Sequence, residues 1–237
     1  MTRPTRTEKD SLGEYPVPAD AWYGIQTARA VDNFPISGRR ADADFIIAHA
    51  RIKHAAAVAN RDAGWLEPKL AAAIIDAADA IIAGRHHEEF VVDRFQAGAG
   101  TSHNMNTNEV VANLANVALG GTRGTYKPVN PNDHVNMGQS TNDTIPTAIR
   151  LAALAKLPRL LRAVEAMAAE LQAIATREAR TVKSARTHLQ DAVPTTVGRE
   201  FGAYAWTLGR CARQLAATRP LLAEIGLGGS AAGTALN

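Results

Sequence analysis

The sequence has little cysteine and few aromatic residues. Its single cysteine, Cys211, excludes an intrachain disulfide framework and predicts a reducing compartment. Because Cys211 stands in an apolar helical run, a core position explains it better than a role as nucleophile. Phe, Trp and Tyr make up only 5% of the residues, too few for the aromatic and β-branched faces of a β-sandwich. We therefore expect helices that pack closely through small side chains.

A large excess of charge of one sign and long hydrophobic runs are also missing. The 26 Lys and Arg residues are scattered among 23 Asp and Glu residues, so no basic stripe of the nucleic-acid-binding kind is present. No apolar run reaches the roughly 20 residues that span a membrane, and residues 1–10 have no apolar signal region. Metal-binding spacings such as HExxH are absent as well. These features predict a cytoplasmic protein without a metal site that binds neither nucleic acid nor membranes.

Hydrophobic residues, in contrast, make up 46% of the chain, and Ala and Leu recur at helical spacing. This periodicity predicts helices over residues 44–61, 68–84 and about 106–119. Residues 16–18 should be extended, because each proline there disfavours helix at the preceding residue. The buried face of the first helix is predicted to carry Phe45, Ala48, Ile52, Ala55 and Ala59. We expect an N-terminal helical lobe over residues 1–140.

The pattern changes at Asp143, the predicted N-cap of a long helix. Its apolar seam alternates steps of three and four from Leu154 to Ala175, and a second seam runs from Val197 to Leu222 after a polar connection. Two such helices do not complete a bundle, so the chain is expected either to continue beyond Asn237 or to borrow helices from other subunits. The predicted fold is all-α, with residues 141–237 forming the first part of a truncated central bundle of long helices.

Three stretches are rich in small polar residues where a structural segment would be apolar or charged. They cover residues 98–109, 130–143 and 186–194. Helix N-termini present unpaired N–H groups and a positive dipole end, so Thr101 and the run Ser140-Thr141-Asn142 are well placed to bind carboxylate oxygens. Taken singly, each stretch also fits a helix cap or a turn. Three of them ahead of apolar helices favour an anionic ligand.

These three stretches, in this order, resemble the signature regions of the aspartase/fumarase superfamily, and the likeness extends over essentially the whole chain. The leader residues 12–14 and 23–27 also look like those of the superfamily. Asn130-Pro131-Asn132-Asp133 and Gln139-Ser140-Thr141-Asn142 follow the pattern of the aspartases. Fumarases typically carry His before Pro-Asn-Asp, and Gln-Ser-Ser-Asn in the second motif. His103 departs from the family pattern.

The resemblance implies a helical lobe, a domain of long helices and a homotetramer in which each active site draws on three chains. The implied reaction is the reversible elimination of ammonia from L-aspartate to give fumarate. No organic cofactor is expected, because the substrate carboxylate itself accepts the electron pair. Two alternatives stay open, a class II fumarate hydratase and a non-catalytic helical assembly whose polar stretches only cap helices.

The resemblance also implies a role for each matched residue. Three hydroxyl residues should donate hydrogen bonds to an enediolate-like carboxylate: Thr101, Ser140 and Thr141. Asn142 should hold the amine, while Thr187 and His188 should contact the amine and the α-carboxylate. His188 is alternatively a proton relay. The general base, a serine of a mobile Gly-Ser-Ser loop, is expected beyond Asn237, so the chain alone should have little or no lyase activity.

Overall fold

The computed structural model describes residues 4–235, which are mostly helical, as predicted. The elements are β1 (Thr5–Asp10), β2 (Gly13–Pro18), α1 (Ile25–Asn33), α2 (Ala43–Asp62), α3 (Pro68–Ile82), α4 (Thr101–Ala118), α5 (Thr141–Arg177), β3 (Val182–Thr187), β4 (Gln190–Thr196), α6 (Val197–Ala217) and α7 (Arg219–Ala223). Among the described residues, 4–152 with 225–235 form a first compact unit and 153–224 a second. Within this range, no helix combines the length and apolar character needed to cross a bilayer.

In the first unit, strands β1 and β2 form an antiparallel hairpin in which Thr5 pairs with Pro18, and the prediction of an extended segment at residues 16–18 is confirmed. Helix α1 has no side-chain cap of its own. Glu109 of α4 replaces the cap, because its carboxylate accepts from the backbone N–H groups of Gly24, Gln26 and Thr27 at 3.0 Å each. The buried end of α1 therefore depends on a residue more than 80 positions away in the sequence.

Helices α2, α3 and α4 form the main core, packed largely through alanine and β-branched side chains. The bounds of α2 and α3 agree with the predicted helices. The predicted buried face of α2 is wrong in its second half, because Ala55 and Ala59 are exposed. Instead, the buried face continues through Lys53 and Ala57. The error arises at Lys53, because a charged residue was not counted as part of a buried face.

Helix α4 begins at Thr101, five residues before the predicted start at Asn106. The polar run at its beginning looked like a loop, yet three buried asparagines of α4, Asn106, Asn113 and Asn116, are bonded in both directions to loop backbone. Asn113, for example, donates to the Trp22 carbonyl and accepts from the Gly124 N–H, each at 2.8 Å. Because buried amides must be paired, these side chains hold the surrounding loops to α4.

The connection predicted as polar chain between the two long helices is a β-hairpin. Strands β3 and β4 are antiparallel, with Thr187 opposite Gln190 at the turn. The two turn residues, His188 and Leu189, have φ angles of 50° and 63°. Two short hairpins do not change the all-α class, which is confirmed.

In the second unit, α6 begins at Val197 as the second seam predicts, and the seam's last residue, Leu222, lies in α7. Leu157 and Ala175 of the first seam are buried. Several large apolar side chains remain open, among them Met167 at 58% and Trp206 at 62% exposed. These exposed faces fit the expectation that the long helices need further partners.

Close packing in the second unit requires glycine at position 198. A Cβ atom there would lie 2.6 Å from the Ala175 carbonyl oxygen and 2.6 Å from the Ala179 Cα, both backbone atoms that cannot rotate away. We expect Gly198→Ala to lower the free energy of unfolding by about 1 to 3 kcal/mol through overpacking. The change should appear as a lower melting temperature in calorimetry.

A matched control lies in the same helix. A Cβ atom at Gly209 meets only the end of the Arg213 side chain at 3.7 Å, so Gly209→Ala should stabilise α6 by roughly 0.5 to 1 kcal/mol. Equal melting temperatures for the two variants would contradict the close approach at Gly198.

Candidate active site at two helix N-termini

The first turns of α4 and α5 adjoin in the first unit. Gly100, which precedes α4, has a φ of 84°, and a Cβ atom there would lie 3.0 Å from Ile145 of α5. One turn further along α4, the Asn104 side-chain amide donates to the Thr141 hydroxyl at 3.3 Å. The contact brings together two of the three predicted polar stretches. The N–H groups of both helix ends, and the positive ends of both dipoles, therefore lie in one region.

Helix α5 begins at Thr141, so the prediction of Asp143 as its N-cap is wrong. Ser140 takes that place: its Oγ accepts from the Asn142 N–H at 3.3 Å, while its own N–H donates to Asp143 Oδ1 at 3.0 Å. The arrangement resembles a capping box, in which the acidic residue stands at the third helical position, but here the Ser140 hydroxyl accepts from the second N–H of the helix instead of the third. Asp143 therefore caps the helix from inside its first turn.

The other oxygen of Asp143 binds the glycine-rich segment near the end of the described chain. It accepts from the Gly228 N–H at 3.2 Å and from the Ser230 N–H at 2.9 Å. Beside it, Asn142 donates from Nδ2 to the Ala231 carbonyl at 3.4 Å. That bond leaves Asn142 Oδ1 as the atom suited to accept from an ammonium group.

Lys53 lies fully buried beneath the start of α5. Its Nζ donates to Asn104 Oδ1 at 2.9 Å, to Asn136 Oδ1 at 3.0 Å and to Gln139 Oε1 at 3.0 Å. Burial lowers the pKa of Lys53 to about 7, while the negative charge of Asp143 acts in the opposite direction. The region thus contains a buried basic group whose hydrogen bonds all end on side-chain amides.

Two buried histidines, His49 and His103, lie next to this lysine with their rings stacked 5.5 Å apart. Burial, together with the charge of Lys53, lowers the pKa of His103 to about 3. Burial and Lys53 also hold the pKa of His49 well below its ordinary value. Both imidazoles are therefore neutral at physiological pH. In residues 4–235, neither Nε2 atom has a hydrogen-bond partner.

The predicted site residues fall into two groups. Thr101, Ser140, Thr141 and Asn142 lie in the first turns of α4 and α5 or directly before them. Thr187 and His188 belong to the second unit, at the turn of the β3–β4 hairpin, with exposed side chains. The structure therefore unites four of the six residues around two helix ends and presents the other two on a separate hairpin.

Three residues of this region were not predicted as site residues: Lys53, Asn104 and Asn136. A signal for Lys53 was available, because it falls in the series 46, 50, 53 and 57, whose steps of four, three and four define one helix face. A lysine on such a face is rare unless it is paired. The two asparagines stood inside the polar stretches, but the sequence did not indicate that they face the same lysine.

A sequence profile of the family described as Lyase matches residues 13–237. The chain belongs to this lyase family. Its relatives include the class II fumarate hydratase of Halobacterium salinarum, 50% identical over 238 residues, and the aspartate ammonia-lyase of a Bacillus species, 46% identical over 237 residues. Each alignment covers 100% of this chain but 50% and 51% of the relative. The chain thus spans about half the length of these curated lyases, and the resemblance to the aspartase/fumarase superfamily is confirmed.

Solved lyase structures share the fold. The fumarate lyase:delta crystallin of Brucella melitensis, bound to cobalt, superposes with a TM-score of 0.93 at 48% identity, over 99% of this chain and 51% of that protein. The class II fumarase of Schistosoma mansoni gives a TM-score of 0.90 at 36% identity, over 98% of this chain and 49% of that protein. At 46% and 50% identity, the aspartate ammonia-lyase and the fumarate hydratase named above stand at similar distances from this member of the family.

Proposed function

We propose that the gene product carrying this sequence is a lyase that reversibly eliminates ammonia from L-aspartate to give fumarate. The observation that supports this best is the meeting of the α4 and α5 N-termini, with Thr101, Ser140 and Thr141 on them. Two helix ends and three hydroxyl groups suit a small dicarboxylate. The similarity to aspartate ammonia-lyases over the whole chain supports the same assignment.

The proposed chemistry follows from where charge develops. Removing the proton from the carbon next to the β-carboxylate pushes an electron pair onto that carboxylate, which becomes an enediolate-like dianion. Donors that already point at its oxygens stabilise this state without reorganisation. Hydroxyl groups at Thr101, Ser140 and Thr141 and the N–H groups of two helix ends supply such donors. When ammonia leaves the adjacent carbon, the electron pair returns from the carboxylate and forms the carbon–carbon double bond of fumarate.

The remaining roles complete the proposal. Asn142 accepts from the substrate amine through Oδ1, and Thr187 and His188 contact the amine and the α-carboxylate, with His188 alternatively relaying protons. We propose a cytoplasmic homotetramer in which these groups come from different chains. The general base is then a serine in the part of the family's proteins that lies beyond the matched half.

Hydration of fumarate is the second candidate, because the Halobacterium salinarum fumarate hydratase is 50% identical to the chain. Water would replace ammonia, and the enediolate-like intermediate and its donors would be the same. The sites of the two reactions therefore differ only in what holds the amine or the water.

The two candidates are separated by following the ultraviolet absorbance of fumarate with the purified gene product. The aspartate assignment predicts that fumarate is consumed only when ammonium is present, and that L-aspartate but not L-malate yields fumarate. Consumption of fumarate without ammonium would establish the hydratase instead. An absence of turnover with every substrate would favour the non-catalytic helical assembly and overturn the proposal.

A further inference from the structure

The hydrogen bonds of Lys53 determine the orientation of the side-chain amides around it. An ammonium group only donates, and it has three hydrogens. In this charged form, Lys53 requires each of its three partners, Asn104, Asn136 and Gln139, to present its oxygen to Nζ. The orientation of an asparagine amide is usually inferred from several weak contacts, whereas here one cation decides it.

The orientation of Asn104 then determines its other contacts. With Oδ1 held by Lys53, its NH₂ group faces the opposite way and uses both hydrogens. One goes to Asn136 Oδ1 at 3.1 Å and the other to Thr141 Oγ1 at 3.3 Å. The Thr141 oxygen is therefore an acceptor toward Asn104, and its own hydrogen must point in another direction.

We propose that Lys53 is a positioning residue: acting through Asn104, it makes the Thr141 hydroxyl a hydrogen-bond donor to the substrate carboxylate. The inference rests on the proposed function, because it assigns a direction to a hydroxyl that the proposal places at the substrate. If the Asn104 amide were turned over, Thr141 could donate to Oδ1 of Asn104 and would face an anion with its lone pairs. Two consecutive hydrogen bonds, from Lys53 to Asn104 and from Asn104 to Thr141, thus determine the direction in which the Thr141 hydroxyl donates.

Replacing Asn104 by aspartate reverses this polarity with little change in shape. The new carboxylate keeps its contact with Lys53 and gains an ion pair, which favours folding, but it has no N–H for Thr141. The Thr141 hydroxyl would then donate its hydrogen bond to this carboxylate, so its hydrogen would no longer point toward the substrate. We expect Asn104→Asp to lower kcat/KM of the gene product for its lyase substrate by at least about 10-fold more than the control described next.

Asn136→Asp is the matched control. It places the same charge 3.0 Å from Lys53 Nζ and also removes a donor, the one to the Gln139 carbonyl, but it leaves the bond from Asn104 to Thr141 in place. Any loss caused by a new negative charge or by general loosening appears in both variants. The difference between them reports on the two donors that only Asn104→Asp loses, toward Thr141 and toward Asn136.

A second measurement uses Lys53→Met alone and combined with Thr141→Val. Lys53→Met should lower kcat/KM about 10-fold or more, whereas in the Thr141→Val background it should cost less than about 3-fold, because the group it acts through is gone. Equal losses in Asn104→Asp and Asn136→Asp, or an unchanged kcat/KM in Lys53→Met, would overturn the positioning role of Lys53. These two outcomes would leave the proposed function standing. An inactive parent protein would overturn the proposed function together with that role.

Discussion

Replacing Thr141 by valine is expected to lower kcat/KM of the gene product by about 10²- to 10³-fold, the usual cost of one lost donor to a developing oxyanion. Valine keeps the branched shape at the first residue of α5. It removes the hydroxyl, however, so the Asn104 N–H loses its acceptor and the substrate carboxylate loses a donor. Steady-state kinetics with L-aspartate, or with fumarate and ammonium, measure the loss.

Thr147→Val is the control for this prediction. Thr147 is buried in the same helix, and its hydroxyl donates at 2.7 Å to the Asp143 carbonyl inside α5. Removing that hydroxyl should leave kcat/KM within about 3-fold, because the bond adds little beyond the helix's own hydrogen bonding. If Thr141→Val were as active as Thr147→Val, Thr141 would not bind the substrate.

Replacing Glu109 by alanine is expected to lower the free energy of unfolding by at least about 3 kcal/mol, since each buried donor left without a partner costs roughly 1 to 3 kcal/mol. Three backbone N–H groups at the start of α1 donate hydrogen bonds to the Glu109 carboxylate. The Tyr126 hydroxyl, which lies 3.0 Å from Oε1, would also lose a partner. Calorimetric melting at equal protein concentration measures the change.

Glu67 provides the comparison for Glu109. It precedes α3 but makes no side-chain capping bond, and it is exposed. Glu67→Ala should therefore change the melting temperature by no more than a surface substitution does, within about 0.5 kcal/mol. A Glu109→Ala protein as stable as the Glu67→Ala protein would mean that water caps α1 as well as the carboxylate does.

The helices that the sequence predicted well are those whose burial is carried by apolar residues. For α2 and α3, periodicity and the flanking residues Gly64, Pro68 and Gly84 placed the ends within two residues of those observed. The start of α4 was missed because it is built from Thr, His and Asn residues, which have weak helix propensity and commonly cap or turn. Only contacts with residues distant in sequence, such as Lys53 for Asn104 and the Glu89 carbonyl for Asn106, satisfy their amides, and no local pattern encodes which residues those are.

The hairpin between the long helices was missed for a similar reason. Every residue of strands β3 and β4 is exposed or half-buried, so the alternation that marks a strand is weak. Ser184 and Arg186 flank a register irregularity, which blurs the pattern further. A hairpin whose faces are mostly exposed has a sequence much like that of a polar loop.

By itself, the sequence determined the helical class and the family, and it marked the polar stretches in which Thr101, Ser140, Thr141 and Asn142 stand. Those features are local: apolar repeats and short polar motifs can be recognised without knowing what they contact. Only the tertiary structure decided that Lys53 orients Asn104 and Asn136, the latter 83 positions away, and that Glu109 caps α1 through the N–H of Gly24, 85 positions earlier. The reason is physical, since a buried charge is tolerated only where distant groups converge on it, and that convergence exists only in the folded chain.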